Sequence, residues 1–235
     1  MSSIAKYYLS FFSLLTFSSI AQVVELQIVE DTLYREDQFY IGVTYNIISS
    51  LSSGFVEPID LSGGIQFGYL RDMPINEQRN LAVAVGVGFS LDQYNQNIFI
   101  DKDVNGITTF TILDDTTTFN TNRLNITSIE VPIEFRWRSS TPSTYKFWRV
   151  YAGFRFGYAI WNKSTFKQSG NSVSISDIPE FDKLRLGATL SFGYSTFNFF
   201  AYYSINPFFN DNAVSMDGQQ VNFKTLNLGL IFYIL

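Results

Sequence analysis

Two glutamates and four arginines, Glu130, Glu134, Arg136, Arg149, Arg155 and Arg185, are the residues whose types and spacing could do chemistry. Paired carboxylates are the usual equipment for acid–base cleavage of glycosidic bonds. Glu130 and Glu134, however, lie four positions apart in ITSIEVPIEFRWR, a stretch that alternates like a β-strand. At the rise of a strand this spacing spans roughly 13 Å, wider than either glycosidase geometry uses. The chain has no His and no Cys. That removes the Ser–His–acid triad, thiol nucleophiles, disulfides, a lipid-bearing Cys, and imidazole or thiolate metal sites. Neither a dinucleotide fingerprint nor a P-loop occurs, and GVGF at 86–89 belongs to an alternating segment. The six charged residues therefore read as an ion-pair network in which no member can be buried alone cheaply. Its expected role is to occlude a narrow interior, and an anion-binding or conducting path is the sharper alternative. No catalytic residue, metal site or cofactor is expected.

The elements that would position this network are strands. In residues 126–138, Ile129, Val131, Ile133, Phe135 and Trp137 share one face, with Glu130, Glu134 and Arg136 on the other. After SSTPSTYK, a second arm sets Trp148, Val150, Ala152, Phe154, Phe156, Tyr158 and Ile160 against Arg149, Gly153, Arg155 and Gly157. Period-two alternation of this length predicts a hairpin. The same pattern predicts strands near 39–47, 61–71, 80–91, 184–194, 197–205 and from 223 to the C-terminus. Phe197–Ile205 is aromatic on both faces, so its register is ambiguous. In 80–91, Leu81, Val83, Val85, Val87, Phe89 and Leu91 oppose small residues, which suit a crowded lumen.

Eight strands close an antiparallel barrel with both termini at one end. The intervening segments, near 49–60, 72–79, 92–122, 139–145, 162–181, 195–196 and 206–222, alternate long and short. The predicted fold is thus all-β: an eight-stranded up-and-down transmembrane barrel with short periplasmic turns and long extracellular loops. A soluble ligand-binding calyx would invert the two faces, but bulky residues need the outer circumference and glycines suit the centre. Aromatic rings near strand ends (Tyr69, Trp137, Phe147, Trp148, Trp161, Tyr194, Phe197 and Tyr233) are candidates for interfacial girdles.

Residues 1–21 carry Lys6, a short apolar run and the small-residue pair Ser19 and Ala21, and predict a cleaved secretory leader. Residues 22–37 read as a short periplasmic lead and 38–235 as the barrel. The net charge of −5 argues against nucleic acid as partner. Residues 92–122 read as a solvated acidic loop. Its Asp101–Gly106 stretch is superficially similar to a calcium loop, yet the Glu such a loop needs is replaced by Ile112.

The run Ile129-Glu130-Val131-Pro132-Ile133-Glu134-Phe135-Arg136-Trp137-Arg138, followed by Tyr145–Phe154, resembles the PorT-like outer-membrane barrels of the Bacteroidota. The motif residues Glu130, Pro132, Glu134 and Arg136 carry over as a structural hallmark. The resemblance implies an outer-membrane location and, for the name-giving member, a part in type IX secretion. The C-terminal Phe232-Tyr233-Ile234-Leu235 departs from the aromatic ending usual in such barrels. Expected partners are outer-membrane lipid and other envelope or secretion proteins, with no open channel. The expected function is non-enzymatic, an accessory to secretion or envelope machinery. Binding of ligand or matrix through the extracellular loops, or small-solute transport, are the alternatives.

Overall fold

The computed structural model describes residues 37–50, 56, 58–114, 116–139 and 147–234. The predicted leader and nearly all of the lead lie outside the described residues. Among the described residues eleven strands form: β1 (Gln38–Ser50), β2 (Gly63–Pro74), β3 (Leu81–Asn95), β4 (Ile98–Lys102), β5 (Thr108–Ile112), β6 (Thr121–Arg138), β7 (Trp148–Gln168), β8 (Asn171–Ser176), β9 (Leu184–Tyr194), β10 (Phe197–Ser204) and β11 (Phe223–Ile234). Eight of them (β1, β2, β3, β6, β7, β9, β10 and β11) pair with their neighbours in chain order. β1 pairs β11 antiparallel, which closes the barrel.

Alternation sets which face each residue takes. Along β6, Ser128, Glu130, Glu134 and Arg136 are buried, while Ile129, Val131, Ile133, Phe135 and Trp137 are exposed. The outer wall is therefore a continuous apolar band, far larger than the few hundred Å² that a water-soluble monomer exposes. Polar residues fill the inside, the inverse of a soluble calyx. β10 places Asn198 and Phe200 inward and Phe199 and Tyr203 outward. β11 pairs Tyr233 with Tyr40 and buries both, while Ile234 faces out. Leu235 lies outside the described residues.

A β-bulge sits opposite Thr127 and Ser128, where the partner residue jumps from Trp161 to Ala159. The extra residue is Ile160, and both Ile160 and Trp161 consequently face outward.

The long external segments differ from the sequence expectation. β3, β6 and β7 continue past their apolar stretches, and β7 pairs with β8 in an extended hairpin through 163–176. Residues 92–122 are not a solvated loop. They contain the β4–β5 hairpin, whose Ile98, Ile100 and Phe110 are buried. These join Ile175, Ile178, Phe181, Phe208, Phe209, Ala213, Val221 and Phe223 in one apolar cluster. The segment reads as solvated because its Asp and Thr dominate its composition. Its few apolar residues find their partners in three other external segments and in the outer ends of barrel strands, as at Leu124 and Phe223.

Candidate functional site

Inside the barrel the charged residues are stacked in levels, each held by a different set of strands. Nearest the short turns, Arg136 Nη1 meets Asp72 Oδ1 at 3.2 Å, and its Nε and Nη2 reach Glu134 Oε2 at 3.0 Å each. Arg138 Nη1 meets Asp72 Oδ2 at 3.0 Å and its Nε donates to the Arg79 carbonyl at 3.0 Å. Asp72, Arg136 and Arg138 are wholly excluded from solvent. The Arg136 guanidinium also lies 4.6 Å from the Tyr151 ring and 5.7 Å from that of Tyr233, placing cation against π-faces. Two rings and three ion pairs thus block this end.

One level up, Arg155 Nη1 pairs with Glu130 Oε2 at 3.0 Å and donates to Gln66 Oε1. Its guanidinium stacks near Phe200 and Tyr40. Above lies a cavity of about 40 Å³, with room for two or three waters at ~15 Å³ each. It is lined by Asp92, Glu130, Arg155, Arg185, Tyr202 and Asn227, among others. Aromatic rings close it from outside: Tyr94 lies 5.1 Å from Phe208, and Phe208 stacks on Phe223 at 4.7 Å.

The six charged residues named from sequence do not form one unit. Glu134 with Arg136, and Glu130 with Arg155, belong to separate levels. Arg185 is held instead on neutral oxygens, the carbonyls of Pro207 (2.6 Å) and Asn206 (3.3 Å) and the Ser204 hydroxyl (2.8 Å), under the Phe208 ring. Arg149 donates to the Ser195 carbonyl and packs on Phe147 at the turn end. Which level a side chain joins depends on its height along its strand and on the stagger between strands, which parity does not give. Asp72 and Arg138 stand outside the six and complete the turn-end level. Each follows an exposed outward residue near the end of its strand, Arg71 for Asp72 and Trp137 for Arg138, so carrying the inward parity on to the strand end reaches both.

Of the candidate girdle residues, Tyr69, Trp137, Trp148, Trp161, Tyr194 and Phe197 lie on the outer wall. Phe147 and Tyr233 do not. Each has inward parity, one residue before an outward one, and both are buried. Their places on the wall are taken by Phe39, 5.1 Å from Tyr69, and Phe232, 5.2 Å from Phe197.

The external end is a second built region. At the tip of the β4–β5 hairpin, Asp103 Oδ1 accepts the N–H groups of Asn105 (2.9 Å) and Ile107 (2.8 Å), and Gly106 takes φ +80°. The Ile107 amide first, and then that of Asn105, holds the Asp103 carboxyl below its ordinary pKa. Val104 is fully exposed there, beside an exposed Ile107. Met216, also exposed, donates its N–H to the Phe110 carbonyl at 3.1 Å, tying the last external segment to this hairpin. Among the described residues no group of three acidic side chains is placed to hold a metal ion.

A closed eight-stranded barrel with a polar inside and an apolar wall is matched by a family model described as outer membrane protein beta-barrel domain, over residues 21–211. The chain belongs to that family. It is a protein of the outer membrane, its barrel crossing the bilayer. No curated protein matches the chain. Among solved structures, the attachment invasion locus protein of Yersinia pestis is similar at 16% identity and TM-score 0.35, over 84% of this chain and 97% of that one. The same protein in complex with the heparin analogue sucrose octasulfate gives 15% identity and TM-score 0.36, over 85% and 99%. At such scores the likeness carries no functional argument.

Proposed function

We propose that this barrel is a surface-binding protein that works through its external head rather than through its lumen. The observation that carries the reading is the head itself. Its hairpins share a buried core, yet Val104, Ile107 and Met216 are left in water at one end. A loop region that merely joined strands would not build a core in order to hold apolar tips outward. The ion-paired levels and the aromatic closure support a lumen without an open channel, which argues against transport. An accessory role in secretion is the second reading, favoured by the Glu130–Arg136 motif and its resemblance to the PorT-like group.

The test uses cells displaying the whole chain, as wild type or as the Val104→Ser, Ile107→Ser double variant, on plates coated with a matrix extract. Retention of wild-type cells, lost in the variant while heat-modifiable gel mobility is unchanged, is the expected result. Equal retention of wild-type and non-expressing cells would sink the reading. If deletion of the gene also removed proteins with C-terminal sorting domains from the medium, the secretion role would replace it.

A further inference from the structure

The wall made by β3, β6, β7 and β8 above the apolar band has a character of its own. Lower down, its outward residues are Leu91, Ile129 and Trp161, all exposed and apolar. Beyond them the outward positions turn to Gln, Asn, Thr and Ser, and the charges on this face are Arg123, Lys163 and Lys167. It carries no carboxylate, although the chain as a whole has a net charge of −5.

The register brings the three cations together. Arg123 lies opposite Thr165, Asn125 opposite Lys163, and Thr121 opposite Lys167. The two lysines therefore flank Arg123 on its diagonals, at backbone separations of about 7–8 Å. Thr165 is covered, and the Arg123 Nε is buried without a hydrogen-bond partner. The arginine thus lies along the sheet rather than standing off into solvent. Among the described residues none of the three is ion-paired. Like charges grouped in this way repel one another unless an anion sits between them.

Height identifies the anion. Trp161 marks the boundary of the hydrocarbon, where amphipathic rings settle. Lys163 is two residues farther along β7, and Arg123 is level with the residue four beyond, roughly 7 and 14 Å along the strand. A strand tilt of about 40° brings these to roughly 5 and 10 Å above the boundary. The polar headgroup layer is about 5–8 Å deep. Lys163 stands at the level where lipid phosphates lie and Arg123 just past it, while Lys167, six residues beyond Trp161 and roughly 15 Å up, adds its charge from above.

We propose that Arg123, Lys163 and Lys167 form a binding site for the phosphate groups of lipids in the external leaflet, fixing one or more anionic lipids against the β3–β6–β7–β8 wall. This site is independent of the head's apolar tips and of what those tips bind.

The test is lipid selectivity by electron spin resonance, with the full chain reconstituted in phosphatidylcholine bilayers. Spin-labelled phosphatidic acid is compared with spin-labelled phosphatidylcholine in the motionally restricted shell. A basic residue at a membrane surface favours an anionic lipid about five-fold, so a preference of about five-fold or more is expected at low salt. It should fall to near unity in 0.5 M NaCl, where the screening length is about 4 Å, and in the Arg123→Gln, Lys163→Gln, Lys167→Gln variant. The salt arm needs no variant, so it stands even if the triple substitution hinders folding. No preference in the wild type, or a preference that survives the substitutions in a folded barrel, overturns the proposal. So does retention on heparin resin that the same substitutions abolish when no lipid preference is seen, because the site would then belong to a soluble polyanion.

Discussion

Replacing Asp72 by Ala should be among the most destabilising single changes in the barrel. Its carboxylate touches Arg136 at 3.2 Å and Arg138 at 3.0 Å, and all three side chains are sealed from solvent. Breaking a buried pair by removing one partner costs about 3–5 kcal/mol, because the other charge is left without compensation. Two arginines lose a partner here, but Arg136 keeps both its contacts to Glu134, so the estimate stays in that range. The assay is urea unfolding of the refolded barrel in detergent micelles, followed by tryptophan fluorescence. With a slope of about 3 kcal/mol per M, the midpoint should fall by roughly 1–1.7 M. Asp72→Asn retains volume and one acceptor and should lose less. The Asp72→Ala, Arg138→Met pair should recover at least about 1 kcal/mol of the loss, since the stranded charge goes with it. A midpoint unchanged by Asp72→Ala, or additive losses in the pair, would refute the claim that this carboxylate neutralises the arginines.

Phe110→Ala removes a ring packed 5.5 Å from Phe209 and should cost the head about 3–5 kcal/mol. Limited proteolysis should then cut within 96–120, while the unboiled barrel keeps its gel mobility. In planar bilayers the wild-type chain should show no stable conductance steps, and Arg155→Ala with Glu130→Ala should show none either, because the Asp72, Glu134, Arg136 and Arg138 level still blocks the turn end. At the hairpin tip, the folded pKa of Asp103 lies below its unfolded value, so its contribution is complete above about pH 4 and disappears as pH falls through the lowered value. The Ile107 amide shift should therefore stay constant from pH 7 to 5 and titrate only below the usual aspartate midpoint. A midpoint at or above that value would mean the Ile107 and Asn105 amides do not hold the carboxylate.

Much of this protein is legible without coordinates because a transmembrane barrel imposes a local rule. Each residue faces lipid or lumen, and its neighbours face the other way. Ile129 to Trp137 against Glu130, Glu134 and Arg136 therefore announces both the strand and its two environments. Parity also predicts the lumen side of Arg149, Arg155 and Arg185. It cannot assign partners. Which carboxylate meets which guanidinium depends on stagger between strands and on how far each side chain reaches across the lumen, and those follow from closure of the whole sheet. Asp72, brought to Arg136 from another strand across 64 residues, is the clearest case.

The external head was hidden for the same kind of reason. Its strands are short, and Ile98, Ile100 and Phe110 are scattered among Asp and Thr, so no window of sequence looks like a core. They become one when the barrel carries four external segments to the same place and Phe181, Phe208, Phe209 and Phe223 cover them. Alternation along a strand is a property of neighbouring residues and is written in the chain. The meeting of side chains from distant strands is a property of the closed barrel, and only the tertiary structure decided it.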